Sequence, residues 1–217
     1  MKKVNKQNHF IWLTVALVAM LITGALTAEF PESYAFSILE FSSIALLLMA
    51  LKSLRVDPNW RMRLLILIGL MLMAAIARSL AGFQHFQFLY MFLLLAFFVS
   101  VAWVVGKEVL LTGRRVDLNI IVGSVALYLV LGLIWAIFYT MVLQFSPEAF
   151  KGIEPEHWVN ALTTMTYFSF VTLTTLGYGD ISPTTPMAEV LVVLEAVTGM
   201  FYFAIVVASL ISSNRNK

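Results

Sequence analysis

The chain is 217 residues long, 61% hydrophobic and 12% charged, with a formal net charge of +2, three histidines and no cysteine. Soluble domains lie nearer half apolar and a quarter charged, so this is the composition of an integral membrane protein. It excludes disulfides, thiolate metal sites and thiol redox switching; His9, His85 and His157 have no metal-ligand spacing, and no basic stripe suited to nucleic acid is present.

A helix needs about 20 predominantly apolar residues to cross the hydrocarbon. Six runs approach that length, over 10–28, 34–51, 64–82, 86–106, 119–144 and 187–212. The expected fold is therefore all-α, with six transmembrane helices. The first run follows Lys2, Lys3 and Lys6 and ends in Ala25-Leu26-Thr27-Ala28, which invites comparison with a secretory signal. It is longer than the apolar core of a signal, and Leu26 and Ala28 make no clean small-x-small cleavage site, so an uncleaved span is expected.

Loop charges set the orientation. Lys2, Lys3 and Lys6 precede the first span; Lys52, Arg55, Arg61 and Arg63 lie between the second and third; Lys107, Arg114 and Arg115 lie between the fourth and fifth; Arg215 and Lys217 follow the sixth. The alternate loops carry Glu29 and Glu32, then no charge, then Glu148, Glu154 and Glu156 against Lys151. Positive charge stays cytoplasmic, so both termini are expected inside, as an even number of spans requires. Three parts follow: a four-helix membrane domain over 1–106, a linker over 107–118 and a pore-type domain over 119–217. The linker, part basic and part apolar, reads either as an interfacial connector or as an ordinary basic loop, because Gly113 weakens a continuous helix.

The segment between the last two spans, Phe145 to Pro186, is the unusual one. Its first part is polar; a short apolar, Thr-rich helix is then expected over 156–174, with Pro155 and Glu156 marking its start. Its apolar part, 158–174, is 17 residues and reaches only about 25 Å, so the segment is expected to enter from outside and return to the same side. Irregular backbone at membrane depth is tolerated only when buried in protein or lining a water-filled cavity. The return stretch, Thr174-Thr175-Leu176-Gly177-Tyr178-Gly179-Asp180, has two glycines flanking a tyrosine. Glycine opens backbone angles closed to other residues, as a run of carbonyls facing one way requires. One such loop cannot surround an ion, whereas four copies about an axis can, with the short helix aiming its partial negative end at that axis.

The stretch Ser169-Phe170-Val171-Thr172-Leu173-Thr174-Thr175-Leu176-Gly177-Tyr178-Gly179-Asp180 resembles the pore helix and selectivity filter of tetrameric potassium channels. The resemblance covers about 119–212, with a filter over 175–179 and an inner helix over 187–212; the first four spans resemble the family's six-helix members in topology only. It implies a homotetramer in which carbonyls of Thr175, Leu176, Gly177 and Tyr178 coordinate K⁺, with the Thr175 hydroxyl at the inner end and Gly179 and Asp180 at the outer mouth. It also implies supporting roles for Thr174, Tyr167, Phe168 and Val171, and offers Gly199 as a hinge of the inner helix, where the alternative is a small residue that eases helix packing. Three departures stand out. Leu176 replaces the commoner Val. Tyr167 and Phe168 replace two tryptophans, and Phe168 has no donor, so a looser aromatic cuff around Tyr178 is expected. Val171 stands where some members carry Glu, which removes a carboxylate partner for Asp180.

Beyond their terminal turns the spans carry three charged residues: Glu40, Arg78 and Glu195. Glu40 and Arg78 lie at similar depths and suit an ion pair, with outward snorkelling of Arg78 as the alternative. Glu195 reads either as a cavity-facing carboxylate or as a buried hydrogen-bond partner for the pore helix, with Thr164, Thr166 and Thr172 as candidate hydroxyls. The fourth span has no charge before its cytoplasmic end. Because each gating charge contributes about 2.3 kcal/mol per 100 mV, weak or absent voltage dependence is expected. Few residues follow the sixth span, so no cytoplasmic ligand-binding domain is expected there. The reading is a non-enzymatic, passive potassium channel without cofactors, multi-pass in the cell membrane and surrounded by lipid; the short basic N-terminus and compact loops point to a bacterial inner membrane. Its rivals are a less selective cation channel on the same fold, a proton-coupled transporter using Glu40, Arg78 and Glu195 as a relay, and a non-conducting channel subunit.

Overall fold

The computed structural model describes residues 9–27, 42–46, 48–49, 51, 57–81, 85–111, 118–153 and 158–215. In chain order the elements are α1 (His9–Thr27), α2 (Pro58–Ala81), α3 (His85–Gly106), α4 (Leu118–Phe145), β1 (Phe150–Lys151), α5 (Trp158–Leu173), β2 (Ser182–Pro183) and α6 (Pro186–Arg215). Among the described residues four helical stretches are long and apolar enough to cross a membrane: Pro58–Ala77, Phe88–Leu110, Leu118–Phe145 and Pro186–Val206. The chain is a mainly helical membrane protein. The expected second span, with Glu40, falls largely outside the described residues, as does the side chain of Arg78, so the proposed Glu40–Arg78 pair lies outside them too.

Two boundaries differ from the apolar runs for physical reasons. The third expected span begins at residue 64, but α2 starts at Pro58. Proline suits the first helical position because its missing N–H would have no partner there, and the Arg61 N–H already bonds the Asp57 carbonyl at 2.9 Å. The polar first turn, Asn59 to Arg63, is helix outside the apolar stretch. Arg63 lies over the Trp60 ring at 5.3 Å. Beyond Gly106, α3 continues as a π-helical turn over Lys107–Leu111, inside the stretch assigned to the linker.

The chain forms two compact units, 1–130 and 131–217. In the first, α2 packs on α3. The buried positions of α2 (Leu64, Ile68, Met71) and of α3 (Met91, Leu94, Phe98, Val101, Val105) recur every three or four residues, the spacing of one helical face. α1 meets the start of α4: the Phe10 N–H bonds Asn119 Oδ1 at 3.2 Å, and the Thr14 hydroxyl reaches the Val122 carbonyl at 3.3 Å. Gly123 makes this approach possible, since a Cβ there would meet the Phe10 ring at 2.7 Å.

The second unit is built around an aromatic core. Tyr139 of α4, Phe150 of β1 and Phe168 of α5 pack edge to face in all three pairings, with centroids 5.1 to 5.5 Å apart. Ala149, Met165, Ile181 and Ala188 complete the buried cluster. β1 pairs antiparallel with β2, Phe150 opposite Pro183 and Lys151 opposite Ser182. The segment before α5 is thereby tied to the segment after residue 180. Phe168 is 5% exposed at the centre of this cluster. Phe168→Ala should therefore lower stability by about 3–5 kcal/mol, the cost of a cavity left by a buried aromatic ring. Thermal unfolding in detergent measures this, and a loss below about 1 kcal/mol would mean that the cluster collapses to fill the space.

Candidate functional site

The site is the return from α5 to α6. α5 ends at Leu173 and a turn follows at Thr174 and Thr175. The Thr174 N–H and hydroxyl both bond the Phe170 carbonyl, at 3.0 and 2.6 Å. The Val171 carbonyl then accepts the N–H groups of Leu176 at 3.0 Å and Gly177 at 3.2 Å, and Thr175 N–H bonds the Thr172 carbonyl at 2.9 Å. The last carbonyls of the helix, which have no helical partner, are used to hold the first residues of the loop. Val171 supports the loop through its backbone, while its side chain is buried.

From there the backbone alternates in hand. Thr175, Gly177 and Gly179 have φ of 62°, 57° and 77°, and Leu176 and Tyr178 between them do not have positive φ. In a regular strand successive carbonyls point to opposite sides; alternation of hand aligns successive peptide planes instead. The two glycines take this conformation freely. Thr175 does not, because a β-branched residue at positive φ is a true outlier, with a cost of order 1–3 kcal/mol that the surroundings must offset. Thr175 through Asp180 are exposed in the single chain, Leu176 at 58% and Tyr178 at 67%.

Asp180 closes the stretch at its C-terminal end. The Tyr167 hydroxyl donates to Asp180 Oδ2 at 2.7 Å and holds that carboxyl below the usual carboxylate range. Tyr167 thus gives Asp180 the side-chain partner that position 171 lacks. On the other side, Gly152 has φ of 84° and lies so close to the Asp180 carbonyl oxygen that any Cβ would collide with it. The Thr184 N–H bonds the Ala149 carbonyl at 2.9 Å, and its hydroxyl bonds the Glu148 carbonyl. Phe168 faces the Tyr139–Phe150 cluster of its own chain, so its ring supports the scaffold below the loop.

The N-terminal end of the stretch is held by α6, an unbroken helix across Gly199. A Cβ at Gly199 would collide with the Leu173 carbonyl oxygen. Close packing against the end of α5 is thus a physical reason for glycine here, whether or not the helix also bends. Glu195, one turn earlier, is fully buried. Its carboxyl meets the hydroxyls of Tyr139 and Ser169. The sequence reading offered Thr164, Thr166 and Thr172 for that contact; Thr166 instead bonds the Leu162 carbonyl at 2.7 Å. Tyr139 and Phe150 were not singled out from sequence. A phenol in the middle of an apolar span was the available signal for Tyr139; Phe150, in a polar loop, gave none.

Residues 125–216 match a protein family described as Ion channel. Among curated proteins, the chain is 34% identical over 76 residues to Two-pore potassium channel 4 of Arabidopsis thaliana, covering 35% of this chain and 25% of that protein. It is 33% identical over 82 residues to Potassium voltage-gated channel subfamily A member 10 of Mus musculus, covering 37% of this chain and 16% of that one. The chain therefore spans a quarter or less of the length of these relatives. No solved structure matches.

The Asp180 contact makes a prediction about pH. A carboxyl held below its ordinary range contributes stability that is present at neutral pH and lost as pH falls through that lowered value. Tyr167→Phe removes the principal cause, so the Asp180 titration should move up toward that of an ordinary carboxylate. Carboxyl NMR shifts against pH read this directly; an unchanged midpoint would assign the lowering to backbone donors instead.

Proposed function

We propose that this chain, whose residues 125–216 match a family described as Ion channel, is a subunit of a potassium-selective channel conducting passively down the ion's gradient. Four copies surround an axis. The carbonyls of Thr175, Leu176, Gly177 and Tyr178 replace the hydration shell of K⁺, and Gly179 and Asp180 form the outer mouth. The observation that carries this reading is the alternating backbone hand from Thr175 to Gly179 at the end of a short apolar helix. Such a stretch has carbonyls to offer in series and few other uses for them. The potassium in the names of both relatives supports K⁺ as the ion.

Exposure in the single chain supports an assembly. Leu176 and Tyr178 project from one chain with little cover, and α6 exposes Val190, Val193, Leu194, Val197, Phe201 and Phe203. Neighbouring copies and lipid cover surfaces of this kind. Six spans, both termini cytoplasmic and a cell-membrane location complete the reading, with K⁺ as permeant ion and no cofactor or enzymatic step. The stretch Phe86–Gly106 carries no charged residue, which supports weak or absent voltage gating.

A less selective cation channel would share this architecture and differ in how tightly the carbonyl rings are held. Purified protein in liposomes with a K⁺ gradient should pass K⁺ well in preference to Na⁺ and be blocked by large quaternary ammonium ions. Equal K⁺ and Na⁺ flux would favour the less selective channel, and flux that requires a proton gradient would favour a transporter.

A further inference from the structure

Glu195 is the only fully buried carboxyl among the described residues, and it sits on the helix that packs against the end of α5. We infer that Glu195 is a positioning residue for the filter, an uncharged carboxylic acid that ties α6 to α5 and α4. The inference rests on the reading of residues 175–179 as the conduction path.

Hydrogen counting carries the first half. Ser169 has one hydroxyl hydrogen, yet its oxygen lies 2.8 Å from the Gly132 carbonyl and 2.5 Å from Glu195 Oε1. Tyr139 gives its own hydroxyl hydrogen to Oε2. An ionised carboxylate only accepts, which leaves one of the two Ser169 contacts without a hydrogen. A proton on Oε1 completes the set: Glu195 donates to Ser169, Ser169 donates to Gly132, and Tyr139 donates to Glu195. Every polar group is then satisfied, and no unpaired charge is buried.

Register carries the second half. Glu195 and Gly199 are four residues apart on α6, and their partners Ser169 and Leu173 are four residues apart on α5. Two contacts one turn apart fix both the sliding and the rotation of one helix on the other. Leu173 is the last residue of α5, so the start of the filter stretch follows α6. Tyr139 adds the outer segment, because the ring whose hydroxyl meets Glu195 also packs on Phe150 and Phe168. A cavity-facing carboxylate is excluded by burial: Glu195 is 0% exposed in one chain, and adding subunits to that packing covers more surface, not less.

The test compares the full-length wild type with Glu195→Gln, Glu195→Leu and Ser169→Ala, by single-channel recording in planar bilayers and by infrared spectroscopy. Glutamine has the shape of the protonated acid. It should leave unitary conductance and mean open time within about twofold of wild type, whereas Glu195→Leu and Ser169→Ala should shorten mean open time by about tenfold with conductance little changed, the scale of losing a buried hydrogen bond. The wild-type spectrum at neutral pH should contain a protonated carboxylic acid band that Glu195→Gln removes. A severalfold fall in conductance in Glu195→Gln, the absence of that band, or unchanged open times in both Glu195→Leu and Ser169→Ala would each overturn the inference. If Glu195→Leu does not assemble, Ser169→Ala, which deletes a single oxygen, decides the open-time arm. If the wild type passes no K⁺, the functional reading fails instead, and the infrared band still decides the protonation state.

Discussion

The backbone of residues 174–180 is neither helix nor strand, so its polar groups must find hydrogen-bond partners outside regular secondary structure. The rest of the second unit answers that constraint. The Phe170, Val171 and Thr172 carbonyls take the N–H groups of Thr174 through Gly177. The donors at the start of the stretch are thereby used within the chain.

Holding such a loop needs support from three directions. α6 supplies the inner support by approaching the Leu173 carbonyl so closely that position 199 has no room for a side chain. The segment at Ala149–Gly152 supplies the outer one through the β1–β2 pairing and the contact of Gly152 with Asp180. Between them lies the aromatic cluster of Tyr139, Phe150 and Phe168. Removal of the tryptophans that the resemblance implies therefore does not leave the loop unbraced. The bracing shifts from a cuff around Tyr178 to an edge-to-face core inside each chain and to the Tyr167–Asp180 hydrogen bond.

Much of this was legible in the residues. Apolar length marks the spans, because the hydrocarbon sets a minimum for a helix, and the loop glycines mark where left-handed backbone is wanted. Other features were illegible for equally physical reasons. The polar first turn of α2 is helix without being apolar, so hydropathy cannot find it. The partner of Glu195 could have been any of several hydroxyls on α5, and only the rotation of that helix selects Ser169. That Gly199 meets a carbonyl oxygen is a tertiary fact that sequence position does not carry. Phe150 belongs to the core although its surroundings in sequence are polar, because the two-residue β1 pairing turns it inward.

In the proposed channel, residues 175–178 coordinate permeant ions on a symmetry axis. Electron cryo-microscopy of the purified protein in K⁺ tests it most directly. The expected map has four copies around one axis, with a line of ion density flanked by the carbonyls of Thr175, Leu176, Gly177 and Tyr178. An assembly without fourfold symmetry, or one in which this stretch faces lipid or a neighbouring helix away from any axial path, would contradict it.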